Sequence, residues 1–137
     1  MVAAAVVNTD SVGNLYILLG PGAPRVRRLD SSGAEAWTAG LGSTPPTKAA
    51  IGVDLSGNVC ILGGLDVIHV GRLSLVGKFD SEGKALWSRT LPPATPAYSL
   101  AVDATGSIYV VGGVNGNPLP EQTSAGGSDV FVIKLKP

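Results

Sequence analysis

One segment of this chain occurs three times. Asp10-Ser11-Val12-Gly13-Asn14-Leu15-Tyr16-Ile17-Leu18-Leu19-Gly20 returns 44 residues later as Asp54-Leu55-Ser56-Gly57-Asn58-Val59-Cys60-Ile61-Leu62-Gly63-Gly64. After a further 49 residues it returns as Asp103-Ala104-Thr105-Gly106-Ser107-Ile108-Tyr109-Val110-Val111-Gly112-Gly113. A second segment follows the first two copies: Arg28-Leu29-Asp30-Ser31-Ser32-Gly33-Ala34-Glu35-Ala36-Trp37, then Lys78-Phe79-Asp80-Ser81-Glu82-Gly83-Lys84-Ala85-Leu86-Trp87. In the third unit it only begins, as Lys134-Leu135-Lys136-Pro137. A period of this length is the mark of stacked supersecondary units, each too small to bury its own apolar face and each covered by its neighbours. The chain is therefore read as one repeat domain, 1–137, with units of about 3–46, 47–96 and 97–137.

Within each unit the pattern Asp-x-x-Gly separates apolar runs. It occurs at Asp10/Gly13, Asp30/Gly33, Asp54/Gly57, Asp80/Gly83 and Asp103/Gly106. Aspartate bonds its own backbone two residues on and glycine supplies a positive φ, so each pair predicts a structural hairpin turn. Around these turns the sequence places strands over Ala4–Thr9, Leu15–Leu19, Arg25–Leu29 and Glu35–Ala39 in the first unit. The second unit offers Ala49–Val53, Val59–Leu62, Arg72–Phe79 and Ala85–Thr90, and the third Ser99–Val102, Ile108–Val111 and Asp129–Leu135. No window carries a helical period, so the fold class is all-β. The second strand of each unit is apolar without interruption, which means cover on both faces, whereas Val26, Leu29 and Trp37 alternate with charged residues and suit outer strands. Small four-stranded sheets of this kind, sandwiched between their neighbours, are the blades of a β-propeller.

Composition removes several function classes. Ten Lys and Arg balance ten Asp and Glu, which gives no basic footprint for nucleic acid. With mean hydropathy of +0.31 and 15% charged residues the chain is too apolar for disorder. Its longest apolar runs, near Val2–Val7 and Leu15–Leu19, fall far below the roughly 18 residues of a membrane-spanning helix. The single cysteine, Cys60, excludes an internal disulfide and a multi-cysteine metal site. Met1 to Ala5 lacks the basic and apolar regions of a signal peptide.

The run from Ser99 to Gly113, followed by Gly126-Gly127-Ser128-Asp129-Val130-Phe131-Val132-Ile133-Lys134-Leu135, resembles the bacterial β-propeller repeat called SBBP. That repeat has an Ala-Val-Asp-x-x-Gly-Asn-x-Tyr-Val-x-Gly strand and then a Gly-Gly-x-Asp-x-Phe-Val-x-Lys-Leu strand. The likeness is strongest in the third unit and touches all three. The Asp-x-x-Gly-x-x-x-Trp segments at Asp30 and Asp80 are also similar to the Trp-containing blade motif of PQQ-type quinoprotein propellers, whose longer signature is incomplete here. The SBBP resemblance implies a non-enzymatic scaffold, extracellular or at the cell surface, for protein or glycan recognition. Neither resemblance supplies a catalytic residue. The rival expectation is a fragment of a larger propeller enzyme of quinoprotein or lyase type, with a cofactor or metal at the ring centre. A closed three-fold β-trefoil or β-prism, lectin-like, is the alternative architecture.

A propeller closes with about four to eight blades, and three repeats fall short. The sequence therefore predicts self-association: a homodimer of half-rings giving about six blades, each copy completing the other's broken blade by strand addition. No catalytic group, metal or cofactor is assigned. His69 has no nucleophile and acid around it in the sequence to make a triad. Asp10, Asp54 and Asp103, with Asn14 and Asn58, lack the oxygen density of a calcium loop and read as turn formers. Cys60 stands where the sister units have Tyr16 and Tyr109, and reads as a buried thiol. Trp37 and Trp87 share one repeat position, as packing between blades requires. Arg25 and Arg27 fall on one strand face, solvating it or meeting an anion. A ligand is expected on the loops, at Asp66 and His69 in the Leu65–Gly71 insertion and at Asn115, Asn117, Glu121 and Gln122 in the stretch 114–128.

Overall fold

A computed structural model describes residues 3–20, 25–40, 49–67, 71–93, 95–116, 121, 123–124 and 126–137. Eleven strands and no helix occur among them. The first unit forms a four-stranded antiparallel sheet from β1 (Ala3–Thr9), β2 (Leu15–Gly20), β3 (Arg25–Leu29) and β4 (Glu35–Gly40), hydrogen-bonded in chain order. The second repeats it with β5 (Ala49–Val53), β6 (Val59–Val67), β7 (Gly71–Phe79) and β8 (Ala85–Thr90). The third has β9 (Ala97–Val102), β10 (Ile108–Asn115) and β11 (Ser128–Leu135), with β10 central.

Every connection inside a sheet is a hairpin, so each sheet is a meander and its turns sort to two ends. All five Asp-x-x-Gly turns lie at one end, and the last residues of β2, β6 and β10 (Gly20, Val67 and Asn115) lie at the other with the first residues of β3, β7 and β11. Each turn closes alike. The glycine N–H donates to the aspartate carbonyl, as Gly33 does to Asp30 at 2.9 Å, and the aspartate N–H donates to the carbonyl four residues on. The five glycines all have φ between 78° and 88°, the left-handed residue of a type I turn with a glycine bulge.

The sheets stack face to face, with β1 beside β5 and β5 beside β9 as the innermost strands. Gly52 on β5 marks how closely they meet, since a Cβ there would lie 2.7 Å from Val102 Cγ2 and 2.8 Å from Leu100 Cδ1 on β9. Two apolar cores fill the two gaps. Between the first and second sheets lie Tyr16, Leu18 and Val26 against Ile51, Val59, Ile61 and Phe79. Between the second and third lie Cys60, Leu62 and Val76 against Leu100, Ile108, Val110 and Phe131. Alternate residues of β6 thus enter opposite cores, which is why the strand is apolar throughout. Burying each such Val, Leu or Ile contributes about 1.5–3 kcal/mol, and no sheet holds a core alone. These are three consecutive blades of a propeller, short of a closed ring. The trefoil and prism alternative is set aside, because each unit makes its own sheet and the sheets stack as blades.

The strands fall where the sequence puts them, with β9 starting earlier, at Ala97, and two longer extensions. The expected Leu65–Gly71 loop is largely strand: β6 continues to Val67 and Asp66 stands opposite Arg72 on β7. Likewise β10 runs on to Asn115, opposite Ser128. The glycine pairs Gly63-Gly64 and Gly112-Gly113, which look like strand breakers, are paired residues inside β6 and β10. His69, Asn117 and Gln122 lie outside the described residues.

Candidate functional site

At the turn end each repeated aspartate is engaged by its own hairpin. Asp10 Oδ1 accepts from the N–H groups of Val12 and Asn14, and its Oδ2 from Asn14 Nδ2 at 2.7 Å and the Tyr16 hydroxyl at 3.0 Å. Asp103 repeats the set with Thr105 N, Thr105 Oγ1, Ser107 N and the Tyr109 hydroxyl at 3.1 Å. Asp30 and Asp80 each hold the N–H groups two and four residues on. Hydrogen bonding holds the Asp10, Asp30 and Asp103 carboxyls below the usual carboxylate range. The Thr105 hydroxyl is the main cause at Asp103, held down to about 2; at Asp30 it is the Ser32 hydroxyl. At Asp10 partial desolvation pushes the other way and is outweighed by the bonds from Asn14 and Tyr16. Desolvation together with the Asp10 bond lifts Tyr16 to about 12, so its phenol remains a hydrogen-bond donor.

The middle unit solves the same position differently. Asp54 keeps the bonds to Ser56 N, Asn58 N and Asn58 Nδ2. With Cys60 in place of tyrosine, its Oδ2 faces Lys78 Nζ at 3.9 Å, both side chains being almost wholly buried. Burial lifts the Cys60 thiol to about 12, although Lys78 opposes the shift. A thiol so protonated and enclosed is core, as its sequence position predicts.

The tryptophans bind blade to blade. Trp37 on β4 donates from Nε1 to the Ser81 carbonyl at 3.0 Å, on the β7–β8 turn of the next blade, and Arg28 Nη1 donates to the same oxygen at 3.2 Å. The Trp37 ring meets Tyr16 edge-on at 6.3 Å. Trp87 packs on the core between the second and third blades, with the Arg89 guanidinium 5.1 Å from its ring centre.

A cleft of about 190 Å³ opens between the first two blades at this end. Asn14, Tyr16 and Arg28 line it from one blade and Ser56, Gly57 and Ser81 from the other. Val12 and Leu55, 72% and 73% exposed, are also among its lining residues. The arrangement offers hydroxyl, amide and guanidinium donors beside two apolar side chains, suited to hydrogen bonding and apolar contact. Sequence reasoning missed this cleft. Its signal was Val12, where the other turns carry Ser32, Ser56, Glu82 and Thr105, and Leu55, where they carry Ser11, Ser31, Ser81 and Ala104.

Of the residues expected to bind a ligand, Asp66 and Asn115 sit at the opposite end. Asp66 is on β6 and Asn115 closes β10, where its Oδ1 accepts from Ser128 Oγ at 2.8 Å. Glu121 is exposed, with φ of 60°. Asp66 and Asn115 thus share the loop end on adjacent blades. Among the described residues no three His, Cys, Asp or Glu side chains converge as metal ligands, and no helix is long and apolar enough to cross a membrane.

No family model and no curated protein matches the chain. Some solved structures are similar to it. A Bacteroides caccae protein of unknown function superposes with a TM-score of 0.50 at 13% identity, over 76% of this chain and 36% of that one. A variant of Synechocystis apocarotenoid oxygenase superposes at 0.41 and 16%, over 93% and 31%. The chain spans about a third of the length of these neighbours.

Proposed function

We propose that this chain is a non-enzymatic recognition scaffold, a set of propeller blades that binds a protein or glycan and completes its ring by self-association. The observation that carries the scaffold reading is the engagement of the repeated aspartates: their carboxylates are bound within their own turns, and Tyr16 and Cys60 are held protonated. The side chains repeated most faithfully are spent on blade geometry, not on a reaction. Recognition is assigned to the loop end, where Asp66 and Asn115 stand on neighbouring blades, with the Val12–Leu55 cleft as a second contact surface. The resemblance of the third unit to the SBBP repeat supports the same reading. The rival is a propeller enzyme fragment carrying a quinone or metal.

An array of glycans and peptides, probed with purified protein, is expected to register a discrete binder that is weakened when Asn115→Ala and Asp66→Ala are combined. Absorption spectroscopy and metal analysis of the same preparation test the rival. A stoichiometric chromophore or metal, with no binder on the array, overturns the scaffold reading.

A further inference from the structure

We infer that the Val12–Leu55 cleft captures the C-terminal carboxylate of a partner polypeptide whose last residue is apolar, with Arg28 as the anchor of the anion. The inference rests on the recognition reading above and gives the second contact surface its ligand.

Three cations share one repeat position on the third strand of each sheet. Arg28 stands opposite Tyr16, Lys78 opposite Cys60 and Lys134 opposite Tyr109. Two of them have a partner for their charge: Lys78 Nζ lies 3.9 Å from Asp54 Oδ2, and Lys134 Nζ lies 5.2 Å from the centre of the Tyr109 ring. Arg28 has no ion pair among the described residues. Its Nη1 donates to a neutral oxygen, the Ser81 carbonyl, and its enclosed Nε has no hydrogen-bond partner. The carboxylate in the same cleft cannot serve. A carboxylate has about four acceptor sites, and those of Asp10 are taken by Val12 N, Asn14 N, Asn14 Nδ2 and the Tyr16 hydroxyl. In the first unit the tyrosine thus holds the oxygen that a lysine meets in the second. The Ser81 carbonyl is full as well, since Trp37 Nε1 donates to it beside Arg28.

What the cleft has to spare is donors. An enclosed N–H without an acceptor is costly, so the group that completes the site is an acceptor, and the guanidinium charge selects an anion. A planar fork of N–H groups fits a carboxylate bidentately. The apolar lining specifies the rest of the ligand. Val12 on one blade and Leu55 on the other are largely exposed, and an inorganic anion would leave both unused, while a sugar acid would set hydroxyls against them. The volume of about 190 Å³ is below the roughly 300–1,000 Å³ of sites for larger ligands, so it takes a single residue. A terminal residue carries its carboxylate and its apolar side chain on one carbon, which is the pairing that Arg28, Val12 and Leu55 offer. Capture of a C-terminal carboxylate is a recurring mode of peptide recognition.

Titration of the full chain with N-acetyl-leucine, followed by backbone amide NMR, tests the assignment. Saturable shifts are expected at Val12, Leu55, Ser56 and Gly57. N-acetyl-leucinamide is expected to bind at least about tenfold more weakly, because it lacks the charged acceptor, and glucuronic acid and inorganic phosphate more weakly than N-acetyl-leucine. Arg28→Gln should erase the preference for acid over amide, and Arg28→Lys should restore part of it. Because Arg28 also ties the two blades together, Leu55→Asp is the second variant. It lies at an exposed turn position, should leave the circular dichroism spectrum unchanged, and should weaken N-acetyl-leucine at least about tenfold by repulsion. Equal binding of acid and amide, tighter binding of glucuronic acid or phosphate, or no shifts at this end overturns the inference. If the array still yields a binder sensitive to Asp66 and Asn115, the recognition reading stands without it. If the array yields none and the preparation carries a stoichiometric chromophore or metal, both fall.

Discussion

Asp103 holds its hairpin with four hydrogen bonds to one carboxylate. Its pKa of about 2 lies below the roughly 3.9 of an unfolded aspartate. A depressed carboxylate contributes stability that is present above the unfolded value and lost as pH falls through the folded one. Unfolding should therefore become easier as pH drops from about 4 to about 2. In Asp103→Asn the proton uptake on unfolding in that window should shrink by up to about one, measured as a shallower fall of Tm with pH. An unchanged slope would remove Asp103 from this role. The turn role of these aspartates was legible in the sequence, because their partners lie two and four residues away. The lysine opposite Asp54 was not, since Lys78 reaches it only through the register of β6 on β7.

At the scale of the element, a hairpin turn does two jobs when the next blade leans on it. Gly83 and Gly33 occupy equivalent turns with φ of 85° and 88°. A Cβ at Gly83 would lie 2.7 Å from Trp37 Cδ2, while one at Gly33 would meet nothing within 4 Å. Gly33→Ala is expected to cost about 1–2 kcal/mol, the penalty of the left-handed backbone. Gly83→Ala should cost about 2–4 kcal/mol, because the tryptophan ring must also move. Denaturant titration of both variants measures the difference, and equal losses would show that Trp37 does not seat on that turn. Strand starts were legible from the Asp-x-x-Gly punctuation, but two strand ends were not. Gly112 looks like a breaker, yet a Cβ there would fall 2.2 Å from the Pro96 carbonyl oxygen, so the residue serves close packing within a continuing strand.

At the scale of the whole molecule, stability is a sum over contacts between blades. In the single chain, at dilutions where it is monomeric, the second blade is covered on both faces and the others on one, which predicts graded hydrogen exchange under those conditions. Amides of β6 near Ile61 and Leu62 should exchange slowest, and those of β2 and β11 sooner, by mass spectrometry at neutral pH. Uniform protection across the three sheets would contradict this. The blade architecture was readable because the repeat fixes what each sheet is made of. The Val12–Leu55 cleft was not readable, because it exists only once sheets are docked and depends on which residues a neighbour leaves uncovered.

The exchange of tyrosine for Cys60, with Lys78 drawn in to meet Asp54, sets the middle unit apart from the other two. Were the units interchangeable, a folding chain could seat its first blade directly on its third and strand the middle one outside. That error would bring Tyr16 where the third blade receives a thiol, and would leave the Lys78 ammonium and Asp54 without their enclosure. Divergence at one repeat position thus makes a stack that skips the middle blade the poorer fit, a packing bias toward the observed order.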